Sequence, residues 1–231
     1  MSASPGKVRL YCFAHAGGDA RSFAPWSAEL PEHVEVCPVQ LPGRGRRLRD
    51  RPVATLAAAL ADVLPVIDTG GPYALFGHSL GAVLAYEAAS RLARGPVRLF
   101  VSAHRAPHLP LREPVIHDLP RERFVARLAE TGGIPRAVLD SPGFLRALLP
   151  ALRADFTISE TYRYVERPPL DCPVDAYGGL DDPDVTPAEL DEWQRHTTGR
   201  YRRKLFPGNH SYPETARGSL LAELAAALPG T

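Results

Sequence analysis

Tyr73-Ala74-Leu75-Phe76-Gly77-His78-Ser79-Leu80-Gly81 passes from an apolar, strand-like run through a Gly-x-Ser-x-Gly turn into a helix-like run, Leu80 to Leu92. Strand, tight turn and helix in that order mark a nucleophile elbow rather than an ordinary Gly-rich loop. The turn leaves no room for a Cβ on either side of the serine. Glycine at both places lets strand and helix close up while Ser79 Oγ points outward. The positive end of the following helix favours negative charge developing at the serine.

Upstream of the elbow, Val8 to Phe13 reads as a buried strand. It ends in the small-residue loop Ala14-His15-Ala16-Gly17-Gly18, followed by a short helix around Ser22 to Leu30. Val34 to Val39 is a second strand, and Thr55 to Ile67 has a helical apolar period. Downstream, Val97 to Ala103 is the next strand. This alternation predicts an α/β protein with a mainly parallel central sheet flanked by helices on both faces. Ligands of such sheets bind beyond the carboxyl ends of the strands, where both the Gly17-Gly18 loop and Ser79 lie.

The alternation breaks after Ala106. From Leu119 to Tyr164 three helical pieces are expected: Arg121 to Glu130, a short one near Arg136 to Leu139, and Gly143 to Tyr164. The length exceeds what one crossover needs and favours a helical lid inserted over about 112–168. The sheet resumes at Pro173 to Gly178, and Thr186-Pro187 has the residues of a helix start. Tyr201 to Phe206 is a last strand, and Gly218 to Leu228 a closing helix. The whole chain, 1–231, reads as a single domain.

Composition narrows the function classes. The net charge of +1 argues against nucleic acid as an electrostatic partner. The longest apolar helix is broken by Asp62 and Pro65 and is too short for a bilayer, so no membrane association is expected. Met1 to Lys7 is polar and reads as no signal peptide, which makes a cytoplasmic protein the default. Cys12, Cys37 and Cys172 are odd in number, form no CxxC and sit in or beside strands. They read as buried structural thiols in a reducing compartment. Arg44, Arg46, Arg47, Arg49 and Arg51 read as a solvated basic loop, with docking to an acidic partner surface as the alternative.

A serine hydroxyl needs a base within hydrogen-bond reach, and the base needs an orienter. The order expected of an elbow enzyme is serine, then an acid after a late strand, then histidine near the end. His210, in Pro207-Gly208-Asn209-His210, is the candidate base. The candidate acid is Asp182, which Pro183 holds in an extended conformation, with Asp181 the runner-up. Two backbone donors should receive the oxyanion: the N–H of Leu80 and that of Ala16 or Gly17. His78 and His15 lack the company of a zinc site. Neither a P-loop nor a dinucleotide fingerprint is present, so no metal or redox cofactor is called for.

Phe13 to Gly18, Leu41-Pro42-Gly43-Arg44 and Gly77 to Gly81 resemble the type II thioesterases of polyketide and nonribosomal peptide assembly lines. The resemblance continues through Ser102, Arg105 to His108, Leu149-Pro150, Arg153 to Phe156 and Tyr162 to Tyr164. Gly178-Gly179, Asp182-Pro183 and Pro207 to His210 complete it over nearly the whole chain. It implies an α/β-hydrolase fold with a helical lid. It also implies hydrolysis, in trans, of acyl or aminoacyl thioesters on the phosphopantetheine arm of acyl or peptidyl carrier proteins, the partners being transient and the enzyme a monomer. Phosphopantetheine is then part of the substrate. Ser79 matches the family's nucleophile, Asp182 the acid and His210 the base, with Ala16 and Leu80 at the oxyanion-hole positions. Ala14 and Gly45 stand where the family usually has proline and glutamate, and Ser211-Tyr212 where it has two aromatics. The last departure is expected to alter a wall beside the base and hence acyl specificity. Rival readings are an acyltransferase or cyclase that passes the acyl-serine to an alcohol or amine, a small-ester esterase, and a non-catalytic carrier-binding protein.

Overall fold

Six apolar runs become six strands of one sheet among the residues described by the computed structural model, 7–111, 114–130, 140–228 and 230. They are β1 (Val8–Phe13), β2 (Val34–Pro38), β3 (Tyr73–His78), β4 (Arg98–Ser102), β5 (Val174–Gly179) and β6 (Tyr201–Phe206). Their order is β2-β1-β3-β4-β5-β6, and every neighbouring pair is parallel. The helices are α1 (Trp26–Glu29), α2 (Leu56–Val63), α3 (Leu80–Ala89), α4 (Arg121–Glu130), α5 (Pro142–Thr161), α6 (Pro187–Asp191), α7 (Tyr212–Thr215) and α8 (Arg217–Ala227).

The strand period of two divides the core between two faces. Tyr73 and Leu75 of β3 join the cluster that packs α2 and α3, while Ala74 and Phe76 join the one that packs Trp26 and α8. Helix α3 is buried along its whole length, which its alanines and its single glycine permit. Asp175, inside β5 and away from the loops, is neutralised by Arg98 at 2.8 Å and Arg202 at 3.0 Å. Cys12 and Cys172 are buried, Cys37 is half-buried, and all three thiols are free.

The crossover from β4 to β5 carries α4 and α5. Ile116, Phe124, Leu128, Leu149 and Leu152 form a third, smaller apolar cluster there. Arg153 lies 4.4 Å over the Phe124 ring and donates to the carbonyls of His117 and Leu119. Glu160 accepts the N–H groups of Ile116 at 3.0 Å and His117 at 2.8 Å. The helical piece expected near Arg136 to Leu139 lies outside the described residues.

Several boundaries moved for identifiable reasons. Helix α2 ends at Val63 because Pro65 turns the chain into a 3-10 turn, Leu64–Val66. Thr186 caps α6 in a full capping box with Glu189. The short helix α7 carried no apolar period long enough to read. Among the described residues no helix is long and apolar enough to cross a membrane.

The tightest backbone approaches tie α3 to β3 and to β1. A Cβ on Gly81 would sit 2.2 Å from the Phe13 carbonyl oxygen, and one on Gly77 2.0 Å from that of Gly81. Gly81→Ala is therefore expected to cost about 3 kcal/mol or more, read as a lower urea midpoint at an unchanged slope. An unchanged midpoint would show that α3 shifts freely.

Candidate active site

Ser79 sits between β3 and α3 with φ +55° and ψ −121°. A non-glycine residue held there stores roughly 1–3 kcal/mol of strain. The surroundings enforce it. Ser79 N–H donates to the Ser102 carbonyl at 2.8 Å, and Ala82 N–H donates to the Ser79 carbonyl at 2.9 Å. Ser79 itself is only half-buried, whereas His78 and Leu80 on either side are buried.

The ends of β5 and β6 are laced together. Leu180 N–H donates to the Phe206 carbonyl at 2.8 Å and Asp181 N–H to that of Gly208 at 3.0 Å. Gly179 lies so close to this loop that a Cβ would come within 2.4 Å of the carbonyl oxygens of Gly208 and Asn209. This lacing carries Asp182 beneath His210, and His210 Nδ1 lies 2.9 Å from Asp182 Oδ2. The Asp182 side chain is 0% exposed, whereas Asp181 is exposed. The geometry thus brings together His210 and Asp182 and leaves Asp181 outside.

Burial disfavours the charged form of His210, but the hydrogen bond and charge of Asp182, helped by Asp184, outweigh it and hold its pKa above the ordinary value. Asp182, Asp184 and His210 place one ligand-type atom each within 4.8 Å of one another. Their mutual bonds account for the grouping, because Asp182 Oδ1 also accepts the Asp184 N–H at 2.9 Å. Ser79 Oγ makes no hydrogen bond to His210 among the described residues. Nucleophile–base contacts are often long until substrate is engaged.

His78 does not face the substrate side. Its Nδ1 meets Ser102 Oγ at 2.8 Å, and Ser102 Oγ meets the Tyr212 hydroxyl at 2.5 Å. Burial above all, then the neighbouring His210 and His15, push the His78 pKa well down. Tyr212 is fully buried and stacks on Phe206 at 5.1 Å. The expectation that Ser211-Tyr212 walls the acyl site is therefore corrected for Tyr212, whose ring belongs to the core behind the base.

The loop after β1 treats its two candidate donors differently. Gly17, with φ +78°, gives its N–H to Asp155 Oδ2 of α5 at 2.7 Å. The N–H groups of Ala16 and Leu80 have no protein partner among the described residues. Both lie at the contact between the β1 loop and the start of α3, where Gly81 meets the carbonyls of Phe13 and Ala14.

The basic loop is not uniformly solvated. Arg44 is 3% exposed and paired with Asp155, Nη2 to Oδ1 at 2.7 Å. Arg47 binds Asp62 at 2.6 Å and Asp50 at 2.7 Å. Arg46, Arg49 and Arg51 are the members that face solvent. The Arg44–Asp155 pair escaped sequence reasoning because its partners lie 111 residues apart. The one available signal was that both fall inside stretches of the thioesterase resemblance.

A family model described as "Thioesterase domain" matches residues 8–228. Among curated proteins, the gramicidin S biosynthesis protein GrsT of Aneurinibacillus migulanus is 36% identical over 90% of this chain and 84% of its own. Among solved structures, the RedJ thioesterase from the prodiginine biosynthetic pathway in Streptomyces coelicolor is 40% identical, with TM-score 0.90, over 97% of this chain and 91% of its own. The type II thioesterase BorB from the borrelidin biosynthetic cluster is 36% identical, with TM-score 0.89, over 99% and 96%. An all-parallel sheet, a strained serine after β3 and a buried Asp–His pair beyond β5 and β6 accord with these matches, and the chain belongs to the thioesterase family of the α/β-hydrolase fold.

Proposed function

We propose that this thioesterase hydrolyses acyl or aminoacyl thioesters carried on the phosphopantetheine arm of acyl or peptidyl carrier proteins, acting in trans. Ser79 attacks the thioester carbonyl while His210 Nε2 takes its proton, and Asp182 holds the imidazole through Nδ1. The tetrahedral oxyanion rests on the N–H groups of Ala16 and Leu80. As the intermediate collapses, His210 passes that proton to the sulfur, so the pantetheine thiol leaves and an acyl-serine remains. Water then gives a proton to His210 and attacks the acyl-serine, and His210 returns the proton to Ser79 Oγ as the acid leaves. The mechanism asks for no metal or redox cofactor. The residues over about 112–168 act as a lid on a single domain, and the enzyme works as a cytoplasmic monomer with transient carrier contacts.

One observation carries the chemistry: a buried carboxylate bonded to His210 beyond β5 and β6, in a chain whose Ser79 occupies a strained elbow. Relatives in gramicidin S, prodiginine and borrelidin biosynthesis support the carrier-bound substrate.

Ser79→Ala is expected to abolish turnover of acyl groups on both carrier protein and free pantetheine, with an unchanged circular dichroism spectrum. Retained turnover would remove Ser79 from the mechanism. With the native enzyme, carrier-bound substrates should show a higher kcat/KM than the same acyl groups on pantetheine. Equal values would remove the carrier from recognition, and matched oxygen esters turned over faster than thioesters would make the protein an esterase.

The base must be neutral, so activity falls as pH drops through the His210 pKa. The Asp184 charge is one of the influences that raise that pKa. Asp184→Asn should therefore move the acid limb of the kcat/KM profile to lower pH with little change on the plateau. Asp182→Asn should lower kcat by about 10³–10⁴. An acid limb that stays in place in Asp184→Asn would mean that the titrating group is not His210.

A further inference from the structure

We propose that Asp155 is a positioning residue for the oxyanion-binding loop, acting through Gly17 and held in place by Arg44. The inference rests on the reading of Ser79 and Ala16 given above.

The loop Ala14 to Gly18 has a single internal tie, the turn in which Gly18 N–H donates to the His15 carbonyl at 2.9 Å. Its external tie comes from α5. Asp155 Oδ2 accepts the Gly17 N–H at 2.7 Å. Leu152, three residues earlier and on the same face of α5, packs directly under Gly17, where a Cβ would come within 2.4 Å of Leu152 Cδ2. One helix face thus supplies both the polar and the apolar contact that fix this peptide.

The Gly17 N–H belongs to the peptide plane that follows Ala16, and the Ala16 N–H to the plane before it. Fixing the first plane limits rotation about the Ala16 backbone and so aims the Ala16 N–H. Asp155 also decides which amide is available: it consumes that of Gly17 and leaves that of Ala16.

A carboxylate so near a developing oxyanion would repel it. Arg44 removes that penalty. Its guanidinium binds both Asp155 oxygens and reaches the Gly18 carbonyl at 3.4 Å, so it grips the carboxylate and the loop together. The two side chains are 3% and 1% exposed. A buried ion pair of this kind adds little net stability over an apolar pair of the same volume. What a two-pronged pair does supply is fixed direction.

The test uses Asp155→Leu and Asp155→Asn in the full chain. End-point labelling with a fluorophosphonate counts competent Ser79 sites, and kcat is expressed per labelled site. An acyl-N-acetylcysteamine thioester serves as substrate, and an octylthio trifluoropropanone, whose hemiketal on Ser79 places an oxyanion in the same cradle, as the probe. For Asp155→Leu, kcat per site should fall about ten- to a hundredfold with KM within threefold, because misplacing one donor forfeits much of its effect. The probe should weaken by the same factor as kcat/KM. Asp155→Asn, which keeps an acceptor for Gly17, should recover part of both, and it carries the test alone if Asp155→Leu does not fold.

Fewer labelled sites with normal kcat per site and normal probe affinity would make the pair merely structural and overturn the inference. A wild-type enzyme that neither labels at Ser79 nor turns over thioester would instead overturn the functional reading beneath it.

Discussion

The close backbone contact between the start of α3 and the end of β1 governs the rest of the site. Gly81 presses on the Phe13 carbonyl and Gly77 on the Gly81 carbonyl, at distances that exclude any side chain. Between these two approaches Ser79 is held at φ +55° and stays half-buried while its neighbours are buried. The contact also places the start of α3 against Phe13 and Ala14, so the elbow and the loop that follows β1 are set by one packing event. The strain of roughly 1–3 kcal/mol is sustained because α3 is buried throughout and the Ser79 amide is tied to β4 through the Ser102 carbonyl.

Ser102 serves the elbow twice. Its carbonyl holds the Ser79 backbone, and its hydroxyl links His78 to Tyr212, which sits two residues beyond His210. Elbow and base are thus joined behind the site by a buried chain of hydrogen bonds. Three imidazoles crowd this region, with His78 5.9 Å from His15 and 5.4 Å from His210. Burial is the largest influence on all three and disfavours charge on each; it keeps His15 and His78 below the usual value. Of the three, only His210 is hydrogen-bonded to a carboxylate, which is why it alone is held above the usual value.

What could be read from the sequence follows sequence distance. The elbow was legible because strand, glycines, serine and helix are contiguous, and the α/β alternation because each element carries its own period. His210 was legible from chain order. Pro183 pointed to Asp182 over Asp181, but the contact with His210 depends on how the ends of β5 and β6 are laced, which no local signal carries. That the Gly17 N–H is taken was hidden, because its acceptor, Asp155, lies 138 residues away. Arg44 looked like one of five arginines in a basic loop, and only folding separates a buried, paired guanidinium from its solvated neighbours. Tyr212 was placed on the wrong side of the base because a single aromatic after a loop histidine carries no sign of the direction it faces.

The described part of the insertion is anchored to the body of the protein chiefly through α5 and the residues after it. Asp155 ties the middle of α5 to the loop at Gly17, and Glu160 near its end ties the strap at Ile116 and His117. Beyond α5, Tyr162 donates to buried Glu87 of α3 at 2.6 Å, and Arg167 does so at 3.0 Å. The C-terminal half of the insertion is thereby bonded to the same helix that creates the elbow. Helix α4 sends Phe124 and Leu128 into the apolar cluster that also holds Leu152, and Arg153 of α5 covers the Phe124 ring, so α4 packs on the same helix that holds Gly17.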